Sequence, residues 1–502
     1  MHPPTHRRNR CHGTRRTFRT PALVLASTLF GVFFKADATQ TPTPHWSQPV
    51  AISPALALGV WQPALACDRL GNVTAAWIQK IGFGESFGFA SLPVDRNLWT
   101  PAATLRWHPT NGSQVSRPAV VRTTRGQIVL VWKHQSPHPH HNRLIAATVR
   151  LGPPLAGTAR VLSHLGVRMT LHPPILMHNT HGDTVAVWTQ YNGTGDSETV
   201  LAAIRQKGTA AWSGPLIVSD SVHGIHDVAL AAHSTDTIYA IWPQRSHGYA
   251  SIKEAILSTG RPPGLRRETI VRTSAQHTLF HATIVTDSAG DVIAAWGTYD
   301  PRYGRDLIMA SHQEAGTASW SPPTIVSSRT HGNARYPIMA ANAQGTVLVL
   351  WRQHRALSTT LEAALLRADH SAWTRPQRVV APLYEHGRPG RPALLAGTHG
   401  EFIAAWRQPV GHQTHIDASV WQTATGQWTP PITLNNPKIG EHTILRQLPS
   451  ALTAILTRLY GPPAGPRVGN PALTGGIHGP IIAVWSQGNS HHSAIYASRY
   501  PE

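Results

Sequence analysis

Five arginines of this 502-residue chain stand beside prolines or tryptophans that recur along it. Arg117 and Arg391 each directly precede a proline, Arg335 opens an Arg-Tyr-Pro, and Arg352 and Arg407 each directly follow a tryptophan. Such a set can build a basic funnel for an anion, because a guanidinium stays charged and offers several N–H donors to oxyanions. A second set is made of amides. Gln79, Gln190, Gln244, Gln353, Gln408 and Gln487 each lie two residues past a tryptophan, with His134 and Thr298 at the equivalent place elsewhere. Strand alternation would put these side chains on the same side as the tryptophan. A ring of amides can hydrogen-bond sugar hydroxyls, or it can satisfy the backbone of neighbouring loops. The regular repetition favours the second role.

Histidine is the third candidate chemistry. His134, His138, His140 and His141 cluster in one segment and are the donor type that zinc, copper and nickel take. Proline interrupts the cluster and no helical i, i+4 pair is present, so no metal and no cofactor is expected. Histidines in exposed loops instead predict a surface charge that climbs below about pH 6.5. Acids are scarce among the loops: Glu85, Asp196, Glu198, Asp300, Asp306, Glu385 and Glu441 are candidates, and no motif links any two of them.

The elements that must position these groups follow from a repeat. Trp77, Trp132, Trp188, Trp242, Trp296, Trp351, Trp406 and Trp485 are separated by 55, 56, 54, 54, 55, 55 and 79 residues. A period of this length marks a solenoid or propeller array. A glycine six residues before most of these tryptophans, and a proline fourteen before, bracket two short apolar runs such as those ending DVIAAW and TVLVLW. Apolar runs flanking a Gly/Asp/Asn turn read as a β-hairpin. A third strand follows with small residues at a fixed place (Ala90-Ser91, Ala146-Ala147, Ala418-Ser419), and a fourth opens with Trp-Ser/Thr at Trp46, Trp99, Trp212, Trp320, Trp373 and Trp428. The pattern predicts an all-β, eight-bladed β-propeller of four-stranded antiparallel blades, with seven blades as the alternative. The first copy of the fourth-strand phrase, Trp46 to Ser53, would close the ring by completing the last blade and hiding its edge. An insertion at about 436–469 is expected to carry a short helix over Leu448 to Leu459. The repeated tryptophans read as inter-blade packing rather than as a ligand platform.

The proline, Asp-x-x-Gly hairpin and Trp-Ser/Thr phrases resemble the sialidase-like propellers over residues 46–502. The Asp-box of that group is absent: Pro-Val-Asp-Arg-Asn-Leu precedes Trp99 and Thr-Ala-Thr-Gly-Gln precedes Trp428. The resemblance implies three arginines for a substrate carboxylate, a tyrosine nucleophile paired with a glutamate, and an acidic acid/base residue. The Arg-x-Pro it implies in the first blade reads Trp61-Gln62-Pro63 here, whereas an Arg-Tyr-Pro stands at Arg335-Tyr336-Pro337 in the sixth. A catalytic carboxylate pair cannot be assigned.

Residues 1–38 read as a secretory signal peptide: a basic stretch, an apolar run from Ala22 to Phe34, and Ala36-Asp37-Ala38 as the cleavage site. Arg15-Arg16 leaves the Sec and twin-arginine routes both open. Residues 39–502 then form a single exported domain, periplasmic or extracellular, without a transmembrane segment. Cleavage removes seven Lys/Arg and one Asp, leaving 37 against 23, so the net charge falls from +20 to +14. A basic exported chain favours anionic partners, and no Lys/Arg run or motif marks specific nucleic-acid binding. Cys67 has no intrachain partner once Cys11 leaves. The chain is therefore expected to be a monomeric, non-catalytic propeller binding an anionic glycan or envelope component through the arginines and glutamines named above. A sialidase-type glycoside hydrolase with a diverged site and a protein-interaction scaffold are the alternatives.

Overall fold

The computed structural model describes residues 45–501 except for 55–58, 82–83, 106–112, 124, 139–140, 151–155, 166–171, 192–196, 223, 226, 234–235, 261–262, 275, 357, 381–386, 412, 437–466, 476–478 and 489–492. The expected signal peptide and the expected helix in the insertion lie outside these residues. Among the described residues there is no α-helix, and hence none long and apolar enough to cross a membrane.

Each repeat folds into the expected hairpin, its turn built from residues that tolerate a left-handed backbone. The repeated glycine takes a left-handed φ, 89° at Gly71 and 90° at Gly400, where a Cβ would be strained. The two strands it joins continue into a third and fourth, and eight such antiparallel sheets follow one another along the chain. Blade 1 is built from Val60–Cys67, Val73–Ile81, Gly84–Leu92 and Ala103–Leu105, and blade 6 from Asn333–Ala341, Val347–His354, Thr359–Leu366 and Gln377–Arg378. The first strands of neighbouring blades pack side by side around the whole ring, with Ala472–Gly475 of blade 8 against Val60–Cys67 of blade 1. The count is eight.

Closure uses the strand expected for it. Val50–Ala51 pairs antiparallel with Ser493–Tyr500 as the outer strand of blade 8. The Trp-Ser/Thr phrase proves to be a strand clip. In all six copies the hydroxyl after the tryptophan accepts a backbone N–H of the third strand: Ser47 from Arg499, Thr100 from Ser91, Ser213 from Ile204, Ser321 from His312, Thr374 from Leu365 and Thr429 from Val420, at 2.9–3.0 Å.

The core lies between blades. All eight repeated tryptophans are at most 2% exposed, each within an apolar cluster that joins two adjacent sheets. Five of the indole N–H groups are satisfied within their own strand by the glutamine two residues on: Trp77–Gln79, Trp188–Gln190, Trp242–Gln244, Trp351–Gln353 and Trp485–Gln487, at 3.0–3.3 Å. The other end of the amide reaches the loop entering the blade, as when Gln353 Nε2 donates to the His331 carbonyl and Gln487 Nε2 to that of Asn436. Replacing Gln353 with leucine strands both the indole N–H and that carbonyl. Urea unfolding is expected to show a loss of about 2–4 kcal/mol, since each unsatisfied buried group costs ~1–3 kcal/mol.

One core acid sets a pH dependence. Glu254, fully buried in blade 4, accepts from Trp320 Nε1 of blade 5 at 3.3 Å, while its Oε1 has no hydrogen-bond partner among the described residues. Burial, and secondarily Glu268, push its carboxyl up from 4.5 to about 7. The folded state therefore holds this proton more tightly than the unfolded chain, so the contribution of Glu254 to stability is fully present below pH 4.5 and is lost as pH rises toward 7. The loss amounts to about 3 kcal/mol at 1.36 kcal/mol per pH unit. Glu254→Gln is expected to flatten that slope and to be the more stable protein at pH 8, as urea midpoints across pH 4–8 would show.

Candidate functional site

In a repeat, positions that differ from blade to blade are where specificity can reside. The residue before the repeated proline place reads Gln62, Arg117, Pro173, Asp227, His281, Tyr336, Arg391 and Asn470 from blade 1 to blade 8. All stand where the inner strands begin, on the face of the ring where each blade is entered. In blades 1, 5 and 6 the inner strand carries a bulge here, with register shifts at Trp61/Ala64, Phe280/Thr283 and Arg335/Ile338. Gln62, His281 and Tyr336 sit at the bulges with φ of 52°, 50° and 60°, a conformation that costs non-glycine residues about 1–3 kcal/mol and re-aims their side chains.

Four consecutive members of this ring touch. Asp227 accepts from His281 Nδ1 at 2.7 Å, the His281 ring lies 4.2 Å from that of Tyr336, and Arg391 stands with its guanidinium carbon 5.0 Å from the same Tyr336 ring. Arg352, from the second strand of blade 6, packs over Tyr336 at 5.2 Å. Arg388 and Arg407 of blade 7 lie within electrostatic reach of Arg352, whose guanidinium pKa falls below its ordinary value because of burial, with these like charges adding to the effect. His354 is held neutral, its pKa lowered to about 4 by burial and then by Arg352, Arg388 and Arg335. Phe280 covers Gly297, where any Cβ would collide with its ring, and supplies an apolar floor beside Arg335.

The charges do not balance. Arg335 is paired with Asp306, but among the described residues Arg352, Arg388, Arg391 and Arg407 have no carboxylate within ion-pair distance, Arg391 acting on Asp227 only from further away. The Nε atoms of Arg352 and Arg407 are buried without any hydrogen-bond partner. The nearby acid, Asp227, is spent on His172 at 3.1 Å and His281 at 2.7 Å, which with Arg391 hold its carboxyl well below the usual range. Glu198 is different: burial raises its carboxyl pKa, opposed by His172 and Lys133. An arrangement of unpaired guanidiniums around an aromatic ring is suited to an oxyanion carried on a ring-shaped ligand.

Of the residues read from sequence, Arg335, Arg352, Arg391 and Arg407 come together here. Arg117 occupies the same ring position in blade 2, solvent-accessible yet enclosed enough that desolvation lowers its pKa. The glutamines point into the blades: Gln79, Gln244, Gln353, Gln408 and Gln487 are buried and Gln190 is half-buried, its Oε1 shared between Trp188 and Ser163. His138 and His141 have ring centroids 5.9 Å apart, burial and Arg143 lower the His134 pKa, and His140 lies outside the described residues. Sequence reasoning missed Asp227, His172, His281, His354, Tyr336 and Arg388. The signal for three of them was the variable residue before the repeated proline.

No protein-family model matches the chain, and no curated protein matches it. Solved structures do. A protein of unknown function from Dyadobacter fermentans is similar at 13% identity and a TM-score of 0.42 over 76% of this chain and 99% of that one. An alpha-L-arabinanase from Penicillium chrysogenum, complexed with arabinobiose, is similar at 11% and 0.40 over 78% and 95%. A leech intramolecular trans-sialidase is similar at 9% and 0.37 over 91% and 70%. At these values none of them lends this chain a substrate.

Proposed function

We propose that this chain is an exported propeller that binds an anionic glycan, carrying carboxylate groups, at the mouth formed by blades 4 to 7. One observation carries the reading: among the described residues Arg352, Arg388, Arg391 and Arg407 have no carboxylate within ion-pair distance, Arg352 and Arg391 pack on Tyr336 with Arg388 and Arg407 within electrostatic reach of Arg352, and the Nε atoms of Arg352 and Arg407 are buried without a hydrogen-bond partner. A carboxylate placed there would satisfy N–H groups that otherwise cost desolvation energy, and the Tyr336 and Phe280 rings would pack on sugar faces. Arg352, Arg391 and Arg407 are the ligand-binding residues of this proposal, with Arg388 added and Arg117 as an outlying contact. The protein acts as a monomer in the periplasm or outside the cell.

The test is binding of purified residues 39–502 to uronate-containing, sialylated, sulfated and neutral glycans at 50 mM and 500 mM salt. Selective binding of carboxylated glycans that persists at high salt supports a shaped site. Binding that follows charge alone and vanishes with salt is a screened surface effect and would sink the proposal.

A second reading, that the same site cleaves the glycan, is favoured by one arrangement. Asp227 fixes His281 through Nδ1, while His281 Nε2 and the Tyr336 hydroxyl have no hydrogen-bond partner among the described residues. A carboxylate-oriented imidazole beside a free hydroxyl is a proton-transfer pair. His281→Ala is expected to abolish turnover under this reading and to leave binding within about threefold under the first, as product analysis and titration calorimetry would separate.

A further inference from the structure

On the opposite face, where the first-to-second and third-to-fourth strand turns meet, polar contacts pin blades to their neighbours. In blade 1 the turn carries one acid, Asp68, with Asn72 as its companion, and Arg122 of blade 2 donates to Asp68 Oδ2 at 2.7 Å. In blade 3 the acid is Asp183 with Asn179 beside it, and Thr259 of blade 4 donates to its Oδ2 at 2.7 Å. Blade 6 uses the neutral Asn342, which donates to the Gly400 carbonyl of blade 7 at 2.9 Å. Blade 5 departs from this scheme. Both turn positions are acids, Asp287 and Asp291, and the group that blade 6 sends to meet them is His370.

The ring and the nearer carboxylate are deeply buried, with side chains 8% exposed at His370 and 1% at Asp287. Backbone N–H groups hold the outer oxygens: Asp287 Oδ1 accepts from Ala289 and Asp291, both at 2.9 Å, and Asp291 Oδ1 from Ala315 at 2.6 Å. Both Oδ2 atoms are thereby turned toward His370, at 3.1 Å from different ring nitrogens, Asp287 from Nε2 and Asp291 from Nδ1. They do not satisfy one another: among the described residues His370 Nε2 and Asp287 Oδ2 remain buried without a hydrogen-bond partner. Two carboxylates converge on one imidazole, one donor atom from each lying within 4.8 Å of the others. Even a protonated ring would leave one buried negative charge uncompensated.

We infer that Asp287, Asp291 and His370 form a structural site for a divalent transition-metal ion of the zinc type, tying blade 5 to blade 6. Imidazole nitrogen with carboxylate oxygen is a donor set that zinc accepts at about 2.0–2.2 Å. The backbone bonds to the outer carboxylate oxygens are the kind of support that fixes metal ligands in orientation. His312, whose ring centroid stands 5.4 Å from that of His370, is the nearest further imidazole for a fourth position, with water as the other occupant. Burial rules out a site that exchanges substrate, so the ion acts on stability.

The experiment is zinc titration of chelator-treated residues 39–502, followed by calorimetry and thermal unfolding. One tight equivalent of zinc and a raised melting temperature are expected, with magnesium giving neither. Asp291→Asn and His370→Gln should each weaken zinc at least tenfold and erase the zinc-dependent shift. Cobalt(II) bound to the unaltered protein supplies a spectroscopic check that does not depend on how the variants fold: visible absorption of a low-coordinate site is expected. Absence of a tight equivalent, or zinc binding that survives unchanged in both variants because surface histidines carry it, overturns the inference.

Discussion

Arg391→Ala and Arg352→Ala are each expected to weaken binding of a carboxylated glycan ten- to a hundredfold, without lowering the melting temperature. Loss of a charge-assisted hydrogen bond to a ligand is worth about 1.5–3 kcal/mol, and 1.4 kcal/mol is a factor of ten in affinity. The stability half of the result follows from what these side chains cost in the free protein. Arg352 is half-buried, its Nε has no partner, and Arg388, Arg391 and Arg407 repel it. Removing it relieves like-charge repulsion and desolvation, so the melting temperature should hold or rise, the usual trade where a site is built against stability. Arg335→Ala is the control. Its guanidinium is already paired with Asp306, so its removal should cost stability more than affinity. Titration calorimetry and thermal scans on the three variants read both quantities. An Arg391 variant that binds normally would remove the cluster from the site.

The double variant Trp46→Ala/Ile52→Ala is expected to lose most of the fold's stability. Trp46 is 9% exposed and packs on Tyr500 at 5.3 Å, and Ile52 is 6% exposed in the cluster shared by blades 8 and 1. Truncating large buried apolar side chains costs about 2–5 kcal/mol each, against total stabilities of about 5–15 kcal/mol. The segment between them is also tied by Ser47 and Ile52 N–H groups to the Arg499 and Ile495 carbonyls, both at 2.8 Å, and by Ser53 Oγ to Ile495 N–H at 3.0 Å. Once the segment detaches, the strand Ser493–Tyr500 becomes an open edge that can recruit other chains. Urea unfolding should show the loss, and light scattering should show association in the variant alone. Equal alanine changes at exposed Leu98 and Ile217 should do neither.

Architecture was legible in the sequence because it repeats. One substitution-tolerant pattern of tryptophan, glycine, proline and Trp-Ser/Thr was written eight times with small losses, so strand order, blade number and the closing segment could be read by alignment of the chain with itself. The physical cause is local: a left-handed turn at Gly71 or Gly400, an indole buried beside its own glutamine, and a hydroxyl clipping the third strand, as Thr100 does to Ser91, all act within a single repeat. The arginines at 352, 391 and 407 were legible as a basic set for the same reason, since they occur at fixed offsets from repeated residues.

What only the tertiary structure decided is which exceptions meet. Asp227, His281, Tyr336 and Arg391 are spaced 54 or 55 residues apart and look unrelated along the chain, yet ring closure sets them side by side, and bulges at His281 and Tyr336 turn two of them toward their neighbours. The same holds for Asp287, Asp291 and His370, where the second acid has meaning only against the companion asparagines of blades 1 and 3. The glutamines illustrate the reverse. Their position on the tryptophan side of the strand was readable, but only packing showed that the indole N–H donates to the amide oxygen. Local rules depend on neighbours within a few residues, whereas charge compensation depends on what a closed ring brings within a few ångströms.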